Sequence, residues 1–141
     1  MGVTGTIYGI NGPIIVVSGN LGFKMNEMVY VGEHRLVGEV IGLTKEETTI
    51  QVYEETSGLR PGEPVEGAGS PISVTLAPGI LYNIFDGIER PLEVIAKEHG
   101  AFIPRGAKTD ALDMQRIWQT HITVQVGDHL GAGSIIAEVP E

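Results

Sequence analysis

The sequence predicts a mainly β protein, with a small N-terminal barrel or sandwich, one short helix, and then a partial second β-rich unit. Three observations carry this. Short segments alternate apolar and polar residues with a period of two, as in Thr49-Ile50-Gln51-Val52 and Ile72-Ser73-Val74-Thr75-Leu76. Twenty glycines and eight prolines in 141 residues supply many turns and leave little room for a helical bundle. Only one stretch, after Pro91, carries a helical period.

Residues 1–76 read as the first unit. Val3 to Ile10 is rich in Thr, Ile and Tyr, and Asn11-Gly12-Pro13 turns the chain. Ile14 to Val17 is a continuous apolar run, as expected of a strand covered on both faces. Gly19, Gly22 and Gly32 punctuate the chain before a strand at Val37 to Ile41. Thr49 to Tyr53 is a further strand, and Gly58 with Pro61-Gly62 bends the backbone before Val65 starts another. Ile72, Val74 and Leu76 end the unit. Closure into a barrel would remove every open sheet edge.

Residues 77–106 read as a linker. Ala77-Pro78-Gly79 marks the boundary, and Pro91 suits the first position of a helix, where its missing N–H costs nothing. Leu92, Ile95, Ala96 and His99 form one stripe, Glu93 and Lys97 pair four residues apart, and Gly100 is a natural stop. A helix this short needs its stripe packed. In residues 107–141, Ile122 to Val126 and Ile135 to Val139 alternate again around Gly127-Asp128. The chain ends directly after that pattern with no capping element, which reads as an artificial boundary or a truncated product.

Composition excludes several functions. Eighteen acidic against nine basic residues give a formal charge of −9, which repels nucleic-acid backbones and anionic lipid surfaces. With no cysteine there are no disulfides, thiolate metal sites or cysteine nucleophiles. No apolar run reaches the ~20 residues that span a bilayer, and no secretory signal is visible at the N-terminus. The chain reads as cytoplasmic, with no nucleic-acid partner and no direct membrane contact.

No catalytic, cofactor-binding or metal-ligating residues are expected from the sequence. No Gly-Lys-Ser or Gly-Lys-Thr is present to cradle phosphate. Gly67-Ala68-Gly69 and Gly131-Ala132-Gly133 start like dinucleotide fingerprints but lack the third glycine, so they read as turns. His34, His99, His121 and His129 show no zinc-helix spacing; His99 reads as a packed or helix-end residue and His129 as solvated. Glu54 and Glu55 are adjacent, so they point to opposite sides of a strand, with nothing nearby to shift a carboxyl pKa; Thr56 and Ser57 are expected to bond turn backbone. Ser70 and Ser134 lack a nucleophile-elbow context. Trp118, the only tryptophan, fits either the core of the C-terminal unit or a protein interface.

Tyr53-Glu-Glu-Thr-Ser-Gly-Leu-Arg-Pro-Gly-Glu-Pro-Val65 and Asp86-Gly87-Ile88-Glu89-Arg90-Pro91-Leu92 resemble the N-terminal region of the catalytic A subunit of V-type and archaeal A-type rotary ATPases. Gly12-Pro13, Gly79, Ala111-Leu112-Asp113 and Val126-Gly127-Asp128 extend the resemblance over nearly the whole chain. It implies that residues 1–76 form a small β-barrel and that 77–106 lead towards a nucleotide-binding domain. It implies too that 107–141 begin a β-rich bulge insert. The implied partners are B subunits, gripped by the barrel, and peripheral-stalk subunits, met by the bulge. The setting is the peripheral part of a membrane-associated complex. ATP and Mg would serve the parent subunit, whose phosphate loop lies beyond Glu141, and this chain alone would bind no cofactor.

The expected function is therefore assembly. Structural or interface candidates are Gly12, Pro13, Glu54, Thr56, Gly58, Pro61, Gly62, Asp86, Gly87, Arg90, Pro91 and Trp118, with the barrel presenting edges and loops to its neighbours. The alternative is a free-standing β-rich binding or carrier module. Val124 to Val139 resembles half of a biotinyl or lipoyl domain, although neither Lys97 nor Lys108 sits on a suitable hairpin. A small carboxylate hydrolase lacks a plausible site.

Overall fold

The computed structural model describes residues 2–141; Met1, the first residue of the expected N-terminal unit, lies outside the described residues. Six strands form the first half: β1 (Thr4–Asn11), β2 (Ile14–Ser18), β3 (Glu27–Val31), β4 (Leu36–Leu43), β5 (Glu47–Val52) and β6 (Pro64–Pro71). They close antiparallel in the order β1-β2-β5-β4-β3-β6, so a barrel forms and not a sandwich. Closure runs through Gly5 opposite Val65 and Val29 opposite Gly67. Register shifts at Ile7/Gly9, Glu27/Val29 and Val40/Gly42 supply the local bends that a small barrel needs.

Alternation decides which side chains go inside. Ile15 and Val17 on β2, Val40 on β4, Ile50 and Val52 on β5 and Val65 on β6 join Ile7, Phe23, Val29, Val31 and Leu36 in one core. Each such burial is worth roughly 1.5–3 kcal/mol. Every residue of that core lies between positions 7 and 65, and the hydrophobics packed against it are Val3, Ile10, Leu43 and Leu59. Among the described residues, none after Val65 contributes a side chain to that core.

In the first half, two stretches depart from the sequence pattern in whether they form a strand. Strand β3 escapes it because Glu27, Val29 and Val31 face inward while Met28 and Tyr30 face outward, so neither face is marked by polarity. Conversely, Ile72, Val74 and Leu76 form no strand. β6 ends at Pro71 and already pairs with β1 on one side and β3 on the other, which leaves the alternating segment no partner.

Helix α1 spans Leu92–His99, with Pro91 at its N-cap and Gly100 ending it at φ 79. Glu93 and Lys97 face each other at 3.9 Å on the exposed side. Of the expected stripe, Ile95 is buried and Leu92 half-buried, whereas Ala96 and His99 are exposed. The two five-residue strands expected near the C-terminus shrink to β7 (His121–Ile122) and β8 (Ala137–Glu138). Val126, Ile135 and Ile136 are exposed, and a two-stranded ribbon without a packed face is marginal.

Candidate functional site

Antiparallel order gathers the Gly12-Pro13 turn, the turn between Val31 and Leu36, and the loop from Tyr53 to Glu63 at one rim of the barrel. Gly12 has φ 57 and precedes Pro13 between paired Asn11 and Ile14, the order that a tight primed hairpin turn requires. Pro61 and Gly62 (φ 95) occupy the centre of a turn closed by Glu63 N–H to Arg60 O at 3.2 Å, which fits type II. The rim loops are stitched together. Thr56 Oγ1 donates to Gly12 O at 2.8 Å, and Glu63 Oε2 accepts the Glu33 N–H at 3.1 Å. Gly58 has φ 93 and lies near the Arg105 guanidinium, which donates to Ser57 O.

Glu54 is the hub of this rim. Its Oε2 accepts Arg90 Nη1 and the Gly106 N–H, both at 2.9 Å, and its Oε1 accepts the Val37 N–H at 3.3 Å. Arg90 Nε reaches Asp86 Oδ2 at 2.7 Å. The Glu54 side chain is 6% exposed and that of Arg90 13%, so this is a largely desolvated cluster. Asp86 Oδ1 also accepts the backbone N–H groups of Ile88 (3.1 Å) and Arg90 (2.9 Å), folding Asp86 to Arg90 into a tight loop around exposed Gly87. Phe85 bridges to Pro91 across its base, and Glu89 takes φ 62.

Burial pushes the Asp86 carboxyl up, but the Arg90 N–H, the Arg90 guanidinium and the Ile88 N–H outweigh it and hold the group below the usual range. Burial likewise pulls Arg90 down, and Asp86 and Glu54 together hold it above its ordinary value. Glu55 corrects the expectation that nothing nearby shifts a carboxyl. The Ser57 hydroxyl and N–H, bonded to its Oε1, lower it. Ser57 thus serves a carboxylate and not turn backbone. Tyr53 is raised because its hydroxyl donates to Glu39 at 2.5 Å, with burial and the carboxylate charge adding to the effect.

Trp118 lies outside this rim. It is half-buried beside Gly79, with the Arg116 guanidinium 3.9 Å above its ring, so it packs against the linker and not inside a C-terminal core. A cavity of about 750 Å³ opens between α1 and residues 108–118. Glu93, Asp110 and Asp113 line it beside Lys97, Lys108 and Arg116, a mixed field that does not suit a polyphosphate. Among the described residues no group of three or more His, Asp or Glu could hold a metal ion. These residues do not fit ATP or Mg, and no chemical step through either follows from them. Lys97 sits in α1 and Lys108 in the loop after Arg105, so neither is a carrier lysine on a hairpin tip.

The rim cluster was only partly legible. Glu54, Asp86 and Arg90 stand out in the sequence, but Gly106 and Val37 complete the hub through backbone N–H groups, which leave no side-chain signature.

Residues 7–69 match the family described as ATP synthase alpha/beta family, beta-barrel domain. The chain is 53% identical over 137 residues to the V-type ATP synthase alpha chain of Halothermothrix orenii, covering 97% of this chain and 23% of that one. It is 46% identical over 138 residues to the A subunit of the A-type ATP synthase of Halobacterium salinarum, covering 98% and 23%. With the catalytic A subunit of the V-type proton ATPase of Neurospora crassa it shares 48% over 139 residues, again 98% and 23%. The chain thus spans about a quarter of the length of the curated relatives it matches.

Proposed function

We propose that this chain, whose residues 7–69 match the beta-barrel domain of the ATP synthase alpha/beta family, is the N-terminal portion of the catalytic A subunit of a V/A-type rotary ATPase, acting there as an assembly module. The observation that supports this best is the closed barrel with a private core, joined to similarity across 97% of the chain. A self-sufficient barrel keeps its shape while its outer surface engages something else.

The parent subunit would couple ATP hydrolysis or synthesis to proton or sodium transport, with ATP and Mg held by sequence beyond this chain. Neighbouring B subunits are the partners for the barrel, and peripheral-stalk subunits for the bulge begun by residues 107–141. The setting is the cytoplasmic, peripheral part of a membrane-associated complex; no helix of the described residues is long and apolar enough to cross a membrane. Residues 1–76 and 77–106 serve as barrel and linker.

Closure changes how the barrel can grip. All six strands are paired on both sides, so adding a neighbour's strand to a barrel edge is unavailable. Contact falls to the outer face and loops, where Tyr8 (74% exposed), Ile41, Leu21 and Met25 present apolar surface. The test is sedimentation velocity of the 141-residue chain with and without the non-catalytic B subunit. The expected result is a mixed species that Tyr8→Asp weakens; two independent boundaries at every concentration would overturn the proposal.

A further inference from the structure

The polar cluster at the barrel rim joins parts of the chain that share no apolar core. The barrel core draws on residues 7–65 alone, yet two later segments, 84–92 and 105–106, are fastened to the rim. One carboxylate serves both: Glu54 Oε2 accepts from Arg90 in the first segment and from the Gly106 N–H in the second. Its other oxygen is anchored on the barrel by Val37 N–H. Asp86 holds Arg90 from behind at 2.7 Å, which leaves the guanidinium poised towards Glu54. Gly106 also has φ 65, and a Cβ there would overlap His34 O, so the second segment lies hard against the turn between β3 and β4.

We propose that Glu54, Arg90 and Asp86 form a latch that locks the linker onto the barrel rim and releases both later segments together, leaving the barrel closed. The physical reason lies in the division of forces. Apolar burial, which is non-directional, closes the barrel; directional, charge-assisted hydrogen bonds hold the linker. Loss of one bonded charge leaves the others desolvated and unpaired, so the joint gives way as a unit. Arg90 and Glu54 are positioning residues here. The device sets the angle between the barrel and whatever follows it, and it does not depend on which complex the chain serves.

Amide-resolved hydrogen exchange on the 141-residue chain, wild type against Arg90→Met, tests this. Gly106 bonds Glu54 and not Arg90, so a merely local role for Arg90 would leave the Gly106 amide alone. The latch predicts that Gly106 and Leu92 exchange about tenfold faster or more, and together. The Ile7 and Gly32 amides, bonded to Glu63 O and Pro64 O within the barrel, stay within about twofold. Arg90→Lys, which keeps the charge but not the two-ended reach, falls between. An unchanged Gly106 overturns the proposal, as does equal acceleration of Ile7 and Gly32, which would make the cluster part of the barrel's own fold.

Discussion

Glu27 Oε1 accepts the backbone N–H of Gly69 at 2.8 Å, tying the start of β3 to the end of β6 with a buried carboxylate. Its Oε2 accepts the Lys24 N–H at 2.8 Å, so one side chain satisfies two backbone donors at the rim opposite the latch. Glu27→Ala orphans both and is expected to cost about 2–3 kcal/mol. Glu27→Gln, which can accept through one oxygen only, should cost about half as much. Urea unfolding followed by far-UV circular dichroism checks the ranking, and a wild-type midpoint for Glu27→Ala would contradict it.

Gly67 exists for that carboxylate: a Cβ there would overlap Glu27 Oε1 and press on Phe23. Gly67→Ala should therefore destabilise the barrel by about 2 kcal/mol. Adding it to Glu27→Ala should cost much less than the sum, because the clash is gone. Gly12→Ala is the contrast. It meets nothing within 4 Å, and only its φ of 57 opposes a side chain, so about 1 kcal/mol is expected. The same urea series separates the two glycines.

Acid should loosen the latch before it unfolds the barrel. Asp86 is depressed in the folded chain, so its stabilisation is complete above the ordinary value of about 3.9 and is lost as pH falls through the lower folded value. Arg90, held above its ordinary value by Asp86 and Glu54, keeps its charge throughout the acid range and does not limit the joint. Chemical shifts of Gly106 and Ile7 followed from pH 6 downward would show Gly106 moving first. Simultaneous movement would contradict this order.

The Tyr53 phenol should titrate above its ordinary value of about 10, because its hydroxyl donates to the Glu39 carboxylate. Glu39→Gln removes the negative acceptor and should bring the titration down. Ultraviolet absorbance at alkaline pH, compared with Tyr53→Phe to assign the signal, reads this directly.

Much of the barrel could be read from residues whose neighbours alternate with them. Ile50 and Val65 face inward as their surroundings suggest, whereas Ile14 and Val16, expected to be covered like Ile15 and Val17, lie half-buried on the outer face; the turns at Gly12-Pro13 and Pro61-Gly62 follow from backbone chemistry alone. The pattern failed where tertiary pairing decides. Val29 lies in a strand whose outward neighbours are also apolar, and Val74 alternates correctly but has no strand beside it. Glu54 shows the same limit at the rim. Its acidity is plain in the sequence, but the two backbone donors that fix it are not.

On the proposed function, this chain grips neighbouring subunits and leaves nucleotide binding to other sequence. Isothermal titration of the 141-residue chain with Mg·ATP tests it most directly. Only heats of dilution are expected; saturable binding with a defined stoichiometry would overturn the assembly reading.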